Sequence, residues 1–424
     1  MEVSKLLDEV ESYRAALARP THQTPRDRAG TLLNLGNALV ALSVRKSGTE
    51  HLTQAIAAYR EALKLFTREA APRDRAGTLV KLGNAFAALG ERESGTEHLT
   101  QAIAAYQEVL ESFTREDAPH DRARILINLG NGLVALGERE SGTDQLERAI
   151  AAYQEALELL SREDAPREQA RTLTGLGNAF AALGERGSGT EQLTQAVAAY
   201  SAALEFLPRD APLGRARILT NLGNVFKALG ERESGVEQLT WAVAAYSAVL
   251  DVITPRDLPF IWAQVQNNLG NTLRTRSELT GDISSLKDAV AAFRAALTVY
   301  NRDSVPLAWA ITQNNLGHAL RQAGYQTGDT TSLEEAVEAY RSALEVFSRE
   351  PAPLAWALTQ HNLGSALRIL AHQERAGTYL KEAVSAFRAA VDVASKWDQP
   401  DSSRLAAMRE ALNEAELSLE RTSR

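Results

Sequence analysis

This chain of 424 residues contains no cysteine. That absence excludes disulfides and thiolate metal sites, and it fits a reducing compartment. Long hydrophobic runs are missing too: no stretch approaches the roughly eighteen consecutive apolar residues of a membrane helix. The first residues carry Glu2, Lys5, Asp8, Glu9, Glu11 and Arg14, so they offer no apolar segment suited to a signal peptide. A basic excess is also lacking. The net charge of −8 argues against a general nucleic-acid binder, and no block of like charge stands out as a tail. What is present, 44% apolar and 24% charged residues, is the balance of a folded, soluble chain. The expectation is a cytoplasmic protein with neither membrane nor nucleic acid among its partners.

The order in this composition comes from a repeat. Leu-Gly occurs with its glycine at positions 36, 83, 130, 177, 223, 270, 317 and 364, a spacing of 47 residues interrupted once by 46. A fixed period of this size marks one stacked array rather than a set of separate globular domains. Inside each unit the apolar period is helical. Leu52, Ala55, Ile56, Tyr59 and Leu63 share one stripe, as do Leu32, Leu35, Leu39 and Leu42 in the preceding half. That earlier half opens on a proline, Pro25 and then Pro72, Pro119, Pro166, Pro212, Pro259, Pro306 and Pro353. Proline suits the first turn of a helix, where its missing N–H would have had no acceptor.

Helix ends are also marked. Gly90, Gly137, Gly184 and Gly230 are placed to close the first helix in a left-handed conformation. Ser47 to Glu50, Ser94 to Glu97, Ser141 to Asp144 and Ser188 to Glu191 have the spacing of capping boxes for the second. Each repeat therefore reads as helix A of about 18 residues, a loop and helix B of about 20. The single 46 falls in the loop Leu207-Pro208-Arg209-Asp210, one residue shorter than Leu160 to Asp164; a deletion inside a helix would have turned the stripe by about 100°. Residues 3–19 read as an orphan helix B. Pro400 opens a last, more polar helix, near Asp401 to Arg421, so that both ends are capped. The Glu-Arg pairs of the loops, such as Glu91-Arg92-Glu93, read as a solvated rim.

The run Asn34-Leu35-Gly36-Asn37-Ala38-Leu39, with Ala55, Tyr59 and Ala62 on the following helix, resembles the tetratricopeptide repeat. That family has Leu-Gly on helix A, then a small residue, an aromatic and an alanine on helix B. Gly36 and Ala55 let the helices approach, while Tyr59 fills the junction to the next repeat. The unit of 47 residues exceeds the family's usual 34, which is similar to the lengthened repeats of kinesin light chains and many bacterial members. The resemblance implies an all-α, right-handed α-solenoid of about eight helix-turn-helix repeats with a capping helix at each end. It also implies a non-enzymatic scaffold whose concave wall, made mainly by A helices, holds a protein or peptide segment.

Groove-facing residues of that family lie three before the glycine and one, four and five after it. Repeats 1 to 4 are bland there apart from Asn37, Asn84, Asn131 and Asn178, and repeat 5 has Asn224 with Lys227. These are the weaker candidates, open between a groove role and a generic repeat position that touches only water. Repeats 6 to 8 differ in kind, with Asn267, Asn271 and Arg274, then Asn314, His318 and Arg321, then His361, Ser365 and Arg368. Residues at i, i+4 and i+7 share a helix face, so each triplet points together. Asparagine amides donate to and accept from an extended backbone, and arginine grips a carboxylate. An acidic or extended segment is the expected partner. Trp262, Trp309 and Trp356, eight before their glycines, are open to two readings: stacking on a ligand, or packing against the neighbouring helix start.

The expected division is residues 1–24 as N-terminal capping helix, 25–258 as repeats 1 to 5, 259–399 as repeats 6 to 8, and 400–424 as C-terminal capping helix. No catalytic residue, metal or cofactor is expected. His318 and His361 supply two imidazoles where a metal needs three or four ligands, and no glycine loop of the phosphate-cradling type is present. Two further readings stay open beside the scaffold. One is self-assembly through the near-identical repeats 1 to 5. The other is a sensor or adaptor subunit for a separate effector, because such arrays resemble the sensor halves of bacterial signalling and caspase-like protease systems. The expected state is a monomer or weak homo-oligomer.

Overall fold

In the computed structural model, every regular element among the described residues is an α-helix. The structure describes residues 2–19, 24–113, 115, 118–161, 165–208, 210–350, 352–374, 377–397 and 402–422. Helix α1 (Glu2–Ala18) precedes eight A/B hairpins. These are α2 (Pro25–Arg45) with α3 (Glu50–Leu65), α4 (Pro72–Arg92) with α5 (Glu97–Leu110), α6 (Pro119–Gly137) with α7 (Asp144–Leu159), and α8 (Pro166–Arg186) with α9 (Glu191–Phe206). Then come α10 (Pro212–Glu233) with α11 (Val236–Leu250), α12 (Pro259–Thr280) with α13 (Ile283–Leu297), α14 (Pro306–Thr327) with α15 (Thr330–Leu344), and α16 (Pro353–Glu374) with α17 (Gly377–Trp397). Helix α18 (Ser403–Thr422) ends the series. Every A helix starts on its proline, as the chemistry of the first turn requires. Pro400 and Asp401, the expected start of the last helix, lie outside the described residues. No described helix is long and apolar enough to cross a membrane.

The chain divides into two compact units, Met1–Arg209 and Asp210–Arg424. Their boundary falls in the one loop that is a residue short. In the first unit the main core runs from Val10 through Leu39, Leu52, Phe86, Leu99, Leu133 and Leu146 to Ala199, with a smaller cluster of Ala29, Leu32, Ala62 and Phe66. In the second, Phe293, Tyr340 and Phe387 share the inner core, Tyr246 packs in a cluster with Ile253 and Val265, and Phe347, Trp356 and Met408 fill a cluster near the helix A starts. Each hairpin closes in the same way. The helix B ring lies on the bare backbone of the Leu-Gly glycine: a Cβ on Gly83 would sit 2.6 Å from Tyr106 Cε1, and one on Gly130 would sit 2.7 Å from Tyr153 Cε1. The ring therefore belongs first to its own hairpin and not, as expected for Tyr59, chiefly to the next repeat. Tyr153 also reaches onward, since a Cβ on Gly175 would lie 2.6 Å from its Cζ.

Four further expectations are corrected. Helix A is longer than about 18 residues, at 19 to 22, and helix B is shorter than about 20, at 14 to 16 except for the 21 of α17. Gly90, Gly137, Gly184 and Gly230 do not stop helix A in a left-handed turn. They lie in its last turns under Leu99, Leu146, Leu193 and Leu239, whose side chains occupy the space of a Cβ. Positive φ occurs instead at Gly48, Ser234, Gly281 and Gly328 among the described residues.

The Ser-x-x-Glu boxes do not form either. Helix B starts after Thr49, Thr96, Thr143 and Thr190, none of which makes a side-chain cap. Real side-chain caps occur at Thr24, in a reciprocal box with Asp27, and at Asp282 and Asp329. The physical reason lies in the next repeat, and it overturns the fourth expectation, that of a solvated rim. Arg92 donates to the carbonyls of Gly48 at 2.6 Å and Ser43 at 2.7 Å. Arg139 does the same to Gly95 and Gly90, both at 2.6 Å, and Arg186 to Gly142 and Gly137. Each arginine thus neutralises the exposed carbonyl end of the preceding A helix and fixes the loop that follows it.

The glycine–ring contact can be tested directly. Gly130→Ala should lower stability by about 1–3 kcal/mol through overpacking against Tyr153, read as a fall in the calorimetric melting temperature. An unchanged melting temperature would show that the hairpin does not depend on this contact.

Candidate functional site

The residue after the Leu-Gly glycine lies where the helix B ring ends, so in five repeats it meets a tyrosine hydroxyl. Tyr59, Tyr106, Tyr153, Tyr200 and Tyr246 donate to the Oδ1 of Asn37 (3.0 Å), Asn84 (2.7 Å), Asn131 (2.7 Å), Asn178 (2.7 Å) and Asn224 (2.6 Å). Burial pushes the pKa of Tyr59, Tyr106, Tyr153 and Tyr246 up, which keeps each phenol a neutral donor. These asparagines therefore have a task inside the fold. Repeats 6 and 8 lack it, because Asn271 stands opposite Phe293 and Ser365 opposite Phe387. Ser365 instead donates to the His361 carbonyl at 2.9 Å. Repeat 7 pairs His318 with Tyr340, whose buried hydroxyl has no asparagine acceptor and lies beside Arg321.

The residues three before the glycine are joined from one A helix to the next. Asn315 Nδ2 donates to Asn267 Oδ1 at 3.2 Å. Asn362 Nδ2 and Thr359 Oγ1 donate to Asn314 Oδ1 at 3.4 and 3.3 Å, while Asn268 donates at 3.1 Å to Oδ1 of Asn224, the residue after its glycine. The donating asparagines, two before each glycine, are absent from the candidates read off the sequence. Their recurrence at 268, 315 and 362, in step with the period, is the signal that marks them. The carbonyls of Asn267 and Asn314 are thus spent within the face.

The cations form the third row. Lys227 pairs with Glu231 at 2.7 Å, Arg274 with Glu278, and Arg368 with Glu414 of α18 at 2.8 Å. Arg321 has a buried Nε without a hydrogen bond, as does Arg368. The structure brings His318 within electrostatic reach of Arg321 and Arg274, and His361 within reach of Arg321 and Arg368. Burial, then Arg321 and Arg274, lower the His318 pKa to about 3. Burial, then Arg321 and Arg368, lower that of His361. Burial pushes Tyr340 up to about 12 against the opposing pull of Arg321 and Arg274. Both imidazoles are neutral near pH 7. Among the described residues no group of three or more histidine or carboxylate side chains could hold a metal.

The tryptophans are packing residues. Trp356 is 9% exposed, sits with Phe347 and Met408, and carries Arg349 over its ring at 4.5 Å; Trp262 and Trp309 join the core around Tyr300. In repeats 1, 2, 3 and 5 an arginine holds this position, and in repeat 4 Gln169 does. Arg75 donates to the carbonyls of Leu63 and Phe66, both at 3.3 Å, so an apolar plug in repeats 6 to 8 replaces a polar cap on the preceding B helix.

The sequence profile of the tetratricopeptide repeat family matches residues 309–350, a stretch that contains Asn314, His318, Arg321 and Tyr340. No curated protein matches the chain. Among solved structures, the C-terminal part of a repeat-containing protein from Cytophaga hutchinsonii aligns with 77% of this chain and 98% of its own, at 13% identity and a TM-score of 0.47. A tetratricopeptide repeat protein from Parabacteroides merdae aligns with 80% of this chain and 98% of its own, at 16% identity and a TM-score of 0.41. One from Thermus thermophilus aligns with 57% and 98%, at 22% identity and a TM-score of 0.37.

The depressed histidine has a measurable consequence. His318 stays neutral in the fold down to about pH 3 but protonates near 6.5 when unfolded, so its contribution to stability is complete above 6.5 and is lost as pH falls toward 3. His318→Gln should remove that loss. Relative to the variant, wild type should weaken by about 1.4 kcal/mol per pH unit below pH 6, measured as melting temperature against pH. Parallel curves would mean that His318 protonates freely in the fold.

Proposed function

We propose that this chain, a helical-repeat protein whose residues 309–350 are a tetratricopeptide repeat, is a non-enzymatic scaffold that binds a protein or peptide segment on the A helices of repeats 6 to 8. One observation carries the reading. Along α12, α14 and α16 the same helical positions hold Asn271, Arg274, His318, Arg321, Ser365 and Arg368, and the tyrosine–asparagine bond that occupies this row in repeats 1 to 5 is absent. Such a row offers amide and guanidinium donors to an extended, acidic chain. Arginine-borne contacts at a partly exposed face weaken as salt is added.

An unbiased pull-down with wild type and with the combined variant Asn271→Ala, Arg274→Ala and Arg321→Ala tests this. Wild type should recover partners that the variant loses, and recovery should fall with added salt. Equal recovery by both proteins would remove this face as the binding surface.

Self-assembly is a second reading, favoured by one observation in the second unit. Leu213, Phe260 and Leu307 follow the helix-opening prolines 47 residues apart and are 60%, 54% and 59% exposed. Repeats 1 to 4 have Arg26, Arg73, His120 and Arg167 there. Light scattering over a concentration series should show mass rising with concentration if this stripe joins copies; a constant monomer mass would remove the reading.

A further inference from the structure

Four residues after the Leu-Gly glycine, repeats 5 to 8 carry Lys227, Arg274, Arg321 and Arg368. Lys227, Arg274 and Arg368 have carboxylate partners within the fold. Arg321 has none among the described residues, and its Nε is buried without a hydrogen bond. A single difference in sequence accounts for this. Repeats 5 and 6 place Glu231 and Glu278 four residues beyond their cation, where helix geometry brings the two together. Repeat 7 has Tyr325 at that place, 68% exposed. The buried Tyr340 hydroxyl and the His361 imidazole, whose Nδ1 is buried without a partner, lie within electrostatic reach of the same guanidinium. A half-buried charge with no counter-ion is costly, and an incoming anion relieves that cost. A cleft of about 670 Å³ adjoins the site, lined by Tyr325, Arg368, Ile369, His372, Leu380 and Thr422, so apolar side chains stand beside the cations.

We infer that Arg321 is the seat for a carboxylate carried on a protein segment, with a neighbouring apolar side chain of that segment entering the cleft beside Tyr325. The inference rests on the scaffold reading and narrows it to one contact. It also couples binding to proton uptake. The charged groups that face His318 are Arg321 on its own helix and Arg274 on α12, with Tyr340 on α15 under the same two arginines. His361 meets Arg321 on α14, Arg368 on its own helix and the Phe387 ring on α17. Their charged neighbours are cations, so both imidazoles stay neutral until an anion arrives. A bound carboxylate supplies the missing negative charge, favours imidazolium, and is held more tightly as pH falls.

The test is fluorescence anisotropy on the full chain with a short labelled peptide alternating glutamate and leucine, set against its glutamine counterpart. The glutamate peptide should bind at least about tenfold more tightly, and its affinity should rise severalfold between about pH 7.5 and 6. Arg321→Gln should lose about tenfold. Tyr325→Glu gives repeat 7 the carboxylate that repeats 5 and 6 already have, at an exposed position outside the core. It should cost about tenfold as well, with an unchanged circular dichroism spectrum. Equal binding of the two peptides, or full binding by Tyr325→Glu, would overturn the assignment. Displacement by millimolar inorganic phosphate, where chloride at equal ionic strength does nothing, would assign the site to a free oxyanion and overturn the protein-borne ligand. Loss of all partners from the wild-type pull-down removes the scaffold reading itself; a partner kept by both wild type and Tyr325→Glu removes this inference alone.

Discussion

In all eight hairpins a helix B ring rests on the bare backbone of a helix A glycine, so closely that a Cβ there would lie no more than 2.9 Å from the nearest ring atom. Glycine and ring are 23 residues apart in every repeat. To keep that contact the ring must reach the glycine across the end of one helix, a loop and the start of the next. One added residue on helix B would carry the ring about 1.5 Å along the axis and about 100° around it. Length can change only outside this span, and the one missing residue lies between repeats, at 207–210.

The same contact governs the polar chemistry beside it. A ring seated on the glycine carries its hydroxyl to the next residue of helix A, and a buried hydroxyl needs an acceptor. Asparagine supplies one in repeats 1 to 5. Exchanging tyrosine for phenylalanine at 293 and 387 removes the demand and frees Asn271 and Ser365 from it. Repeat 7 keeps the hydroxyl of Tyr340 and withholds the bond. Departure from the structural pairing and accumulation of arginine and histidine therefore occur in the same three repeats.

Arginine illustrates how far position decides role. Arg92 and Arg139 bind carbonyls of the preceding repeat and act as structural bolts. Arg321, four residues after its glycine where Arg92 is nine after its own, has no carboxylate partner among the described residues. In the sequence Arg92 stands between Glu91 and Glu93 and Arg321 between Leu320 and Gln322, and neither setting names the partner. The two tasks become distinct only when the residues facing each guanidinium from adjacent helices are known.

The sequence by itself determined the number of repeats, the helical character of both halves and the proline start of every A helix, because periodicity and first-turn chemistry are properties of a short segment. It also marked the rows that hold Arg274, Arg321 and Arg368, since i, i+4 and i+7 fall on one face of any helix. It misassigned Gly90 and Ser47, for glycine and Ser-x-x-Glu have local uses that the fold did not take up. Tertiary structure alone decided that Gly90 makes room for Leu99, that Arg92 holds a loop, that Asn37 serves Tyr59 and that Trp262, Trp309 and Trp356 pack against the core. Each of these depends on a partner outside the local segment, 22 residues along the chain for Asn37 and as many as 49 for Arg92, and no window of local sequence contains what will stand opposite.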